Sequence, residues 1–380
     1  MPAPPRSQID QLDGVRAVAV LAVMAFHVRL LHEGYWGVDV FFVLSGMLIT
    51  GILVGEFDRS GTVRLGRFYH RRLLRLYPAL VAMLVVLSPF GVHLAQFGTW
   101  PEWWESVGVA LTYTGNLAIL LEDVQYLGAL TPVWSLAVEM QFYLVWPLAL
   151  LWLLRRRVDR RALTIGTAVL ALALLSLFWL LQTTPNPTLG IAPSYFRPDA
   201  RFGELLVGCA LALALSLRRG ERLSPVADRA LSAGAALGLG GFLLGAALHD
   251  RWGSMVPVPV VVLSSALLLA RLVTSDRAIL SRLLRLPPLP QLGRISYAMY
   301  LWQVPLLWLA EWRTQHQLTI DLVFWLGTPA VAWLSMVLVE RRFLRRKDDL
   351  RTVDVEAGIG DGVSRGRAPA PAEPAAGPRA

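Results

Sequence analysis

The sequence predicts an all-α membrane protein, a polytopic helix bundle of about ten transmembrane helices plus one re-entrant or interfacial segment. Three observations lead there. The 380-residue chain is 55% apolar, has a mean hydropathy of +0.51 and carries 14 Trp, far outside the soluble average. Eleven apolar segments recur along it, at about 12–31, 36–57, 74–97, 106–121, 133–154, 162–182, 201–217, 230–248, 255–273, 292–312 and 318–339. Arginines cluster in short runs between them. A positive-inside topology explains the net charge of +9 better than nucleic-acid binding does. A lone cysteine, Cys209, sits in an apolar run, which excludes a disulfide framework and a Cys-based zinc site.

The first segment is about 20 residues long, enough to cross the bilayer core. Arg16 interrupts its start and no cleavage site follows, so it reads as an uncleaved helix and not as a signal peptide. His27 lies near its end. Eleven residues at about 100° each bring Arg16 and His27 within about 20° of one face, separated by a rise of about 16 Å. A charge at mid-membrane costs about 2.5–3.5 kcal/mol even on the mildest scale. Two polar groups on one stripe therefore suggest an interior cavity, although Arg16 alone could also snorkel to the headgroups.

The later segments are ordered by charge. A basic loop holding Arg59, Arg64, Arg67, Arg71, Arg72 and Arg75 is expected on the cytoplasmic side. Further Arg runs follow the fifth, seventh, ninth and last segments. All fall on one side only if 106–121 does not cross. That segment is short, holds Thr112, Thr114, Gly115 and Asn116, and leads to Glu122 and Asp123, so it is assigned as the re-entrant or interfacial piece. Ten crossings remain, with both termini cytoplasmic. Trp100, Trp103 and Trp104 are then expected at the outer interface, and 183–198 as an outer loop. Residues 1–347 form the membrane domain; 348–380, rich in Ala, Pro and Gly, read as a disordered cytoplasmic tail.

On this topology the polar residues fall into two layers. His27, Asp39, Glu139, Arg201 and Glu204 form an outer layer; Arg16, the Arg71–Arg72–Arg75 cluster and Arg294 form an inner one. An imidazole with a carboxylate to orient it suits acid–base work on a hydroxyl. An arginine cluster suits a phosphate-bearing donor, with a long thin arm in the gap between. Plainer alternatives stay open: the arginines as topology signals, Asp39 and Glu139 as partners that pin Arg201, Ser45 and Ser135 as packing residues. The layers offer no metal-ligand pattern.

In order along the chain come LDGVRAVAVLAVMAFH, GVDVFFVLSG, FYHRRLLRLYP, PVWSLAVEMQFYLVWP, RFGELLVGCALA, ISYAMYLWQVP and a closing VERRF. This series, from about residue 10 to 345, resembles the membrane acyltransferase-3 family. The resemblance implies transfer of an acyl group, commonly acetyl from acetyl-CoA, to a hydroxyl of a carbohydrate, glycolipid or glycosylated small molecule. It carries an Arg–ten residues–His motif onto Arg16 and His27, an Arg-x-x-Arg motif onto Arg72 and Arg75, and a Trp-Ser-x-x-x-Glu element onto Trp134, Ser135 and Glu139.

The roles it implies are a base at His27 oriented by Glu139 or Asp39, and acyl-CoA binding by Arg16, Arg72 and Arg75. Trp134, Ser135, Tyr143, Arg201, Glu204 and Tyr300 are expected to line the substrate pocket. Direct transfer and a transient acyl-histidine both fit. One departure is visible. The family often has His in the penultimate helix where this chain has Gln303 after Tyr300-Leu301-Trp302, so a second imidazole is absent there. No tightly bound cofactor is expected. No fused esterase-like domain is expected after the last helix, and any second transferase, periplasmic or extracellular, is expected to be a separate protein. The expected location is the cell's inner membrane. A proton-coupled transporter or flippase using His27, Asp39 and Glu139 as a relay is the competing class.

Overall fold

The computed structural model describes residues 6–121, 127–181, 193–218, 224–252, 258–274 and 279–343, and all regular structure among them is helical. Glu122 and Asp123, residues 183–192 of the expected loop and the tail from 348 onward lie outside the described residues. Helix α1 (Arg6–His27) starts ahead of the apolar run, because the polar residues before it contain no breaker. It ends where Arg29 takes a φ of 58°, and a short turn, His32–Tyr35, leads into α2 (Trp36–Ser60).

Gly61, in the left-handed region at φ 69°, stops α2, and only residues 61–64 separate it from α3 (Leu65–Leu87). The expected basic loop is therefore mostly helix: Arg67, Arg71, Arg72 and Arg75 occupy the first turns of α3. Hydropathy marks these residues as loop, but arginine is a good helix former, and Phe68, Leu76, Ala79 and Leu80 bury one face.

Segment 106–121 is two pieces, α4 (Trp100–Thr112) and α5 (Gly115–Leu121), broken at Tyr113 with φ 52°. The Thr99 hydroxyl caps α4 by accepting the Glu102 N–H at 3.4 Å. Thirteen residues of helix reach only about 20 Å, so neither piece spans the roughly 30 Å hydrocarbon core. Trp100 and Trp104 are exposed, whereas Trp103 is fully buried and departs from the expected interface position. It packs on Gly91, where a Cβ would come within 2.5 Å of the indole ring.

The longer helices that follow are α6 (Val133–Arg155), α7 (Arg160–Leu181), α8 (Pro198–Leu217), α9 (Pro225–Trp252), α10 (Val258–Thr274), α11 (Ser296–Arg313) and the composite α12 (Gln317–Phe343). Helix α12 contains two π-helical stretches, Val323–Gly327 and Met336–Glu340. The ten expected crossings correspond in position to α1–α3 and α6–α12. Among the described residues, six helices are long and apolar enough to cross a membrane: His32–Ser60, Leu65–Leu94, Val133–Arg155, Arg160–Leu181, Pro198–Leu217 and Gln317–Phe343. Their outward faces stay apolar, as at Val85, Val86, Ile165, Val169, Leu326 and Leu338, which suits a lipid surround.

Small residues set the central packing. Gly46 of α2 meets the Leu205 carbonyl of α8, and Gly208 of α8 meets the Val43 carbonyl of α2, so the two backbones touch. This close crossing brings Asp39 level with Arg201. At one end of the bundle Arg160 pairs with Asp58 at 2.7 Å and Arg155 bonds Thr62 at 3.2 Å, joining the α2–α3 and α6–α7 turns. Arg294 pairs with Asp10 at 2.9 Å near the start of α1. Arg155 and Arg160 thus meet the α2–α3 turn, and Arg67, Arg71, Arg72 and Arg75 follow directly after it, which makes that end of the bundle basic.

Candidate active site

A cleft opens between α1, α2, α3, α6 and α11. Arginines from three turns line it: Arg16 of α1, and Arg72 with Arg75 one turn further along α3. The i, i+3 spacing places the latter two on one face. Arg71, next to Arg72 in sequence, turns aside toward Glu56, 3.9 Å away. Arg16 is steadied by Asp13 at 3.0 Å. The Arg72 guanidinium lies over the rings of Tyr143 and Phe68, at 5.1 and 5.7 Å, so its plane is held by aromatic faces.

Opposite the arginines, α6 presents Ser135, Glu139 and Tyr143, spaced at i, i+4 and i+8. Glu139 accepts hydrogen bonds from the hydroxyls of Ser45 and Tyr143, which also contact each other. Ser45 is thus tied to the cleft's carboxylate, a contact that a packing role inferred from sequence does not contain. Ser135 and Tyr300 share a hydrogen bond at 2.7 Å, and the Tyr300 hydroxyl donates to the Pro132 carbonyl at 3.0 Å. The Ser135 proton is thereby committed to a chain that ends on the backbone. Nothing in that chain activates it as a nucleophile.

The sequence places Glu139 level with His27, in a layer apart from the arginines. In the structure it shares the cleft with Arg16 and Arg72. Counting depth along α6 presumes that the helix starts at the membrane surface, yet Val133, Trp134 and Ser135 in its first turn are already buried. The short turn Gly128–Leu130 just before them is buried as well, so α6 begins beneath a cover.

Asp39, Arg201 and Glu204 lie outside the cleft and form a sealed cluster. Arg201 contacts Asp39 at 2.9 Å and Glu204 at 2.6 Å, and all three side chains have no solvent exposure. The guanidinium is encased by Tyr195, Phe178, Phe42 and Trp134, whose ring centres lie 4.6–5.4 Å away. Of the residues expected to line a substrate pocket, Ser135, Tyr143 and Tyr300 line this cleft. Trp134, Arg201 and Glu204 do not, because α2 and α8 close over them.

His27 also stands apart from the cleft, at the far end of α1 and about 16 Å of helix rise from Arg16. Its Nδ1 lies 2.8 Å from the Val23 carbonyl, which can only accept. Nδ1 therefore carries the hydrogen in the neutral ring, and the Nε2 lone pair is left free. Neither carboxylate orients the ring: Asp39 is held by Arg201, and Glu139 by Ser45 and Tyr143. Among the described residues no group of three or more His, Cys, Asp or Glu gathers as a metal site requires.

The acyltransferase domain family matches residues 9–339. A peptidoglycan O-acetyltransferase, OatA of Listeria monocytogenes, is 33% identical over 328 residues, 80% of this chain and 50% of the relative. The O-acetyltransferase OatA of Staphylococcus aureus is 28% identical over 312 residues, 78% of this chain and 50% of its own. A putative peptidoglycan O-acetyltransferase of Bacillus subtilis, YrhL, is 31% identical over 336 residues, 83% and 51% of the two chains. The chain spans about half the length of the curated relatives it matches. No solved structure matches.

Proposed function

The chain belongs to the membrane acyltransferase-3 family, and from that premise we propose that it moves an acetyl group from acetyl-CoA to a hydroxyl of a cell-envelope carbohydrate. The observation that carries this is the cleft itself, in which Arg16, Arg72 and Arg75 converge inside an apolar bundle. Three cations held together in such surroundings fit an anionic, phosphate-bearing ligand. The names of the relatives supply the acyl group and the class of acceptor. The basic end faces the cytoplasm under the positive-inside rule, which puts the cleft within reach of cytoplasmic acyl-CoA in the cell membrane.

Arg72 and Arg75 hold the phosphates of the donor. Tyr143 lies against the Arg72 guanidinium, and Glu139 fixes Tyr143 in turn. The pantetheine arm runs past Arg16 toward the far end of α1, so that the thioester approaches His27. There the acceptor O–H bond breaks, and its proton passes to Nε2, the ring nitrogen left free by the Val23 contact. The acceptor oxygen bonds to the acyl carbon while the carbon–sulfur bond breaks. The departing thiolate takes the proton from His27, giving free CoA and an O-acyl carbohydrate.

The test is purified protein in lipid vesicles with radiolabelled acetyl-CoA and peptidoglycan fragments. CoA release coupled to label on the glycan is the expected result. Tight donor binding with neither CoA release nor label would overturn the transferase reading.

A further inference from the structure

The two oxygens of Glu139 have unlike surroundings. Oε1 accepts hydrogen bonds from the Ser45 hydroxyl of α2 and from the Tyr143 hydroxyl one turn along α6. Oε2 accepts none among the described residues, and the half-buried side chain lines the cleft. Nor does Glu139 pair with the arginines that share the cleft: Arg16 is held by Asp13, and Arg72 lies against aromatic rings. A carboxylate inside an apolar bundle is costly unless it is hydrogen-bonded or paired. The protein satisfies one oxygen of this carboxylate and presents the other to the occupant of the cleft.

An ionised carboxylate only accepts, so the partner of Oε2 must bring an N–H or an O–H. The same charge repels phosphate, which Arg72 attracts. Tyr143 sets the distance between these two levels, with its ring 5.1 Å from the Arg72 guanidinium and its hydroxyl on Glu139. From Tyr143 back to Glu139 is one turn of α6, a rise of about 6 Å. In acyl-CoA the first groups beyond the pyrophosphate that can donate are the pantoyl hydroxyl and the amide N–H beside it. That nitrogen stands six bonds from phosphorus, the length of two extended residues or roughly 7 Å. A phosphate on Arg72 therefore brings these donors level with Glu139.

We propose that Glu139 is a donor-binding residue, its Oε2 accepting a hydrogen bond from the pantoyl–amide part of the pantetheine arm. This rests on the acyl-CoA reading of the cleft and deepens it. Ser45 and Tyr143 fix the rotation of the carboxylate, so the contact is made by a group already in place. Charge then sets the direction in which the donor lies. Its phosphates stay at the Arg72 level because the next level repels them, and only the uncharged arm passes Glu139. The residue thereby selects an arm that carries hydrogen-bond donors and opposes a ligand that is phosphate throughout.

The experiment is isothermal titration of the full chain in lipid nanodiscs with CoA and with adenosine 3′-phosphate 5′-diphosphate, which is CoA without its arm. Glu139→Gln keeps the size of the side chain. Ser45 and Tyr143 retain its amide oxygen, so the NH₂ group faces the arm and a donor meets a donor. CoA affinity should fall about 10- to 100-fold, while affinity for the nucleotide changes less than about twofold. Equal losses for both ligands would mean that Glu139 serves Arg72 through Tyr143 and would overturn the proposal. Unchanged CoA affinity would overturn it as well.

A second measurement does not depend on the variant folding. A CoA analogue with methylene groups in place of the pantoyl hydroxyl and the adjacent amide should bind the parent about 10- to 100-fold more weakly than CoA. Glu139→Gln should bind the two ligands within about threefold of each other, which completes a cycle on the single contact. An analogue as tight as CoA on the parent overturns the proposal. The expected binding pattern without CoA release in the transfer assay overturns the transferase function and leaves the Glu139 contact standing. A parent that binds neither CoA nor the nucleotide overturns the donor reading and the proposal with it.

Discussion

Replacing Arg201 by methionine removes one cation from a site in which two carboxylates stay behind. Arg201 contacts Asp39 at 2.9 Å and Glu204 at 2.6 Å, with no solvent to take over either contact. Removing one partner of a buried pair costs about 3–5 kcal/mol, because the charge left behind is uncompensated. Loss of the aromatic cage around the guanidinium adds about 0.5–2 kcal/mol. A total of about 3.5–7 kcal/mol is roughly several hundredfold to a hundred-thousandfold in the folded-to-unfolded ratio and a large part of the roughly 5–15 kcal/mol that typical domains possess. Arg201→Met should therefore give little monodisperse protein after detergent extraction and a much lowered Tm. Arg201→Lys should rescue poorly, since one ammonium does not reproduce a fork that reaches two carboxylates.

The triple variant Asp39→Leu, Arg201→Met, Glu204→Leu makes the test sharper. Exchanging a whole buried triad for apolar side chains is often neutral or stabilising, so it should recover most of the lost stability. Acetyl-CoA binding by the triple variant should stay within about twofold of the parent, because the cleft is a separate place. A triple variant as unstable as Arg201→Met, or an Arg201→Met protein as stable as the parent, would refute the reading of this cluster as a closed structural ion-pair site.

Four further outcomes are expected. Arg72→Ala and Arg75→Ala should each weaken acetyl-CoA binding about 10- to 150-fold, equivalent to about 1.5–3 kcal/mol, by isothermal titration, with Arg72→Lys only partly restoring it. His27→Gln should abolish labelled transfer while donor affinity stays near the parent value, since the amide keeps hydrogen bonds but takes no proton. Gly208→Leu should prevent recovery of folded protein, because its side chain would enter the Val43 backbone of α2. Cysteines introduced in a Cys209→Ser background should react with an impermeant thiol reagent from outside the cell at residue 197, whose side chain is exposed, and not at residue 62; reversed labelling would invert the assigned topology.

Hydropathy alone sufficed for the all-helical membrane class and the order of the long segments, because a bilayer imposes a minimum apolar length that a sequence displays directly. The failure of 106–121 to span was legible too, in its shortness and central polar residues. The spacing of Arg72 and Arg75 on one face was readable once a helix was granted, although hydropathy treated that helix as loop. The partners of the polar residues were not readable. Asp39, Glu139 and Arg201 each present one ionisable group in an apolar run, and nothing local says which will meet which. Contact between glycines of α2 and α8 and the facing backbones decided that Asp39 meets Arg201. The buried start of α6 decided that Glu139 shares a cleft with Arg72 and not a layer with His27. Local periodicity assigns a residue to a face of its own helix; which face of another helix it meets is set by interhelical packing, which no single segment contains.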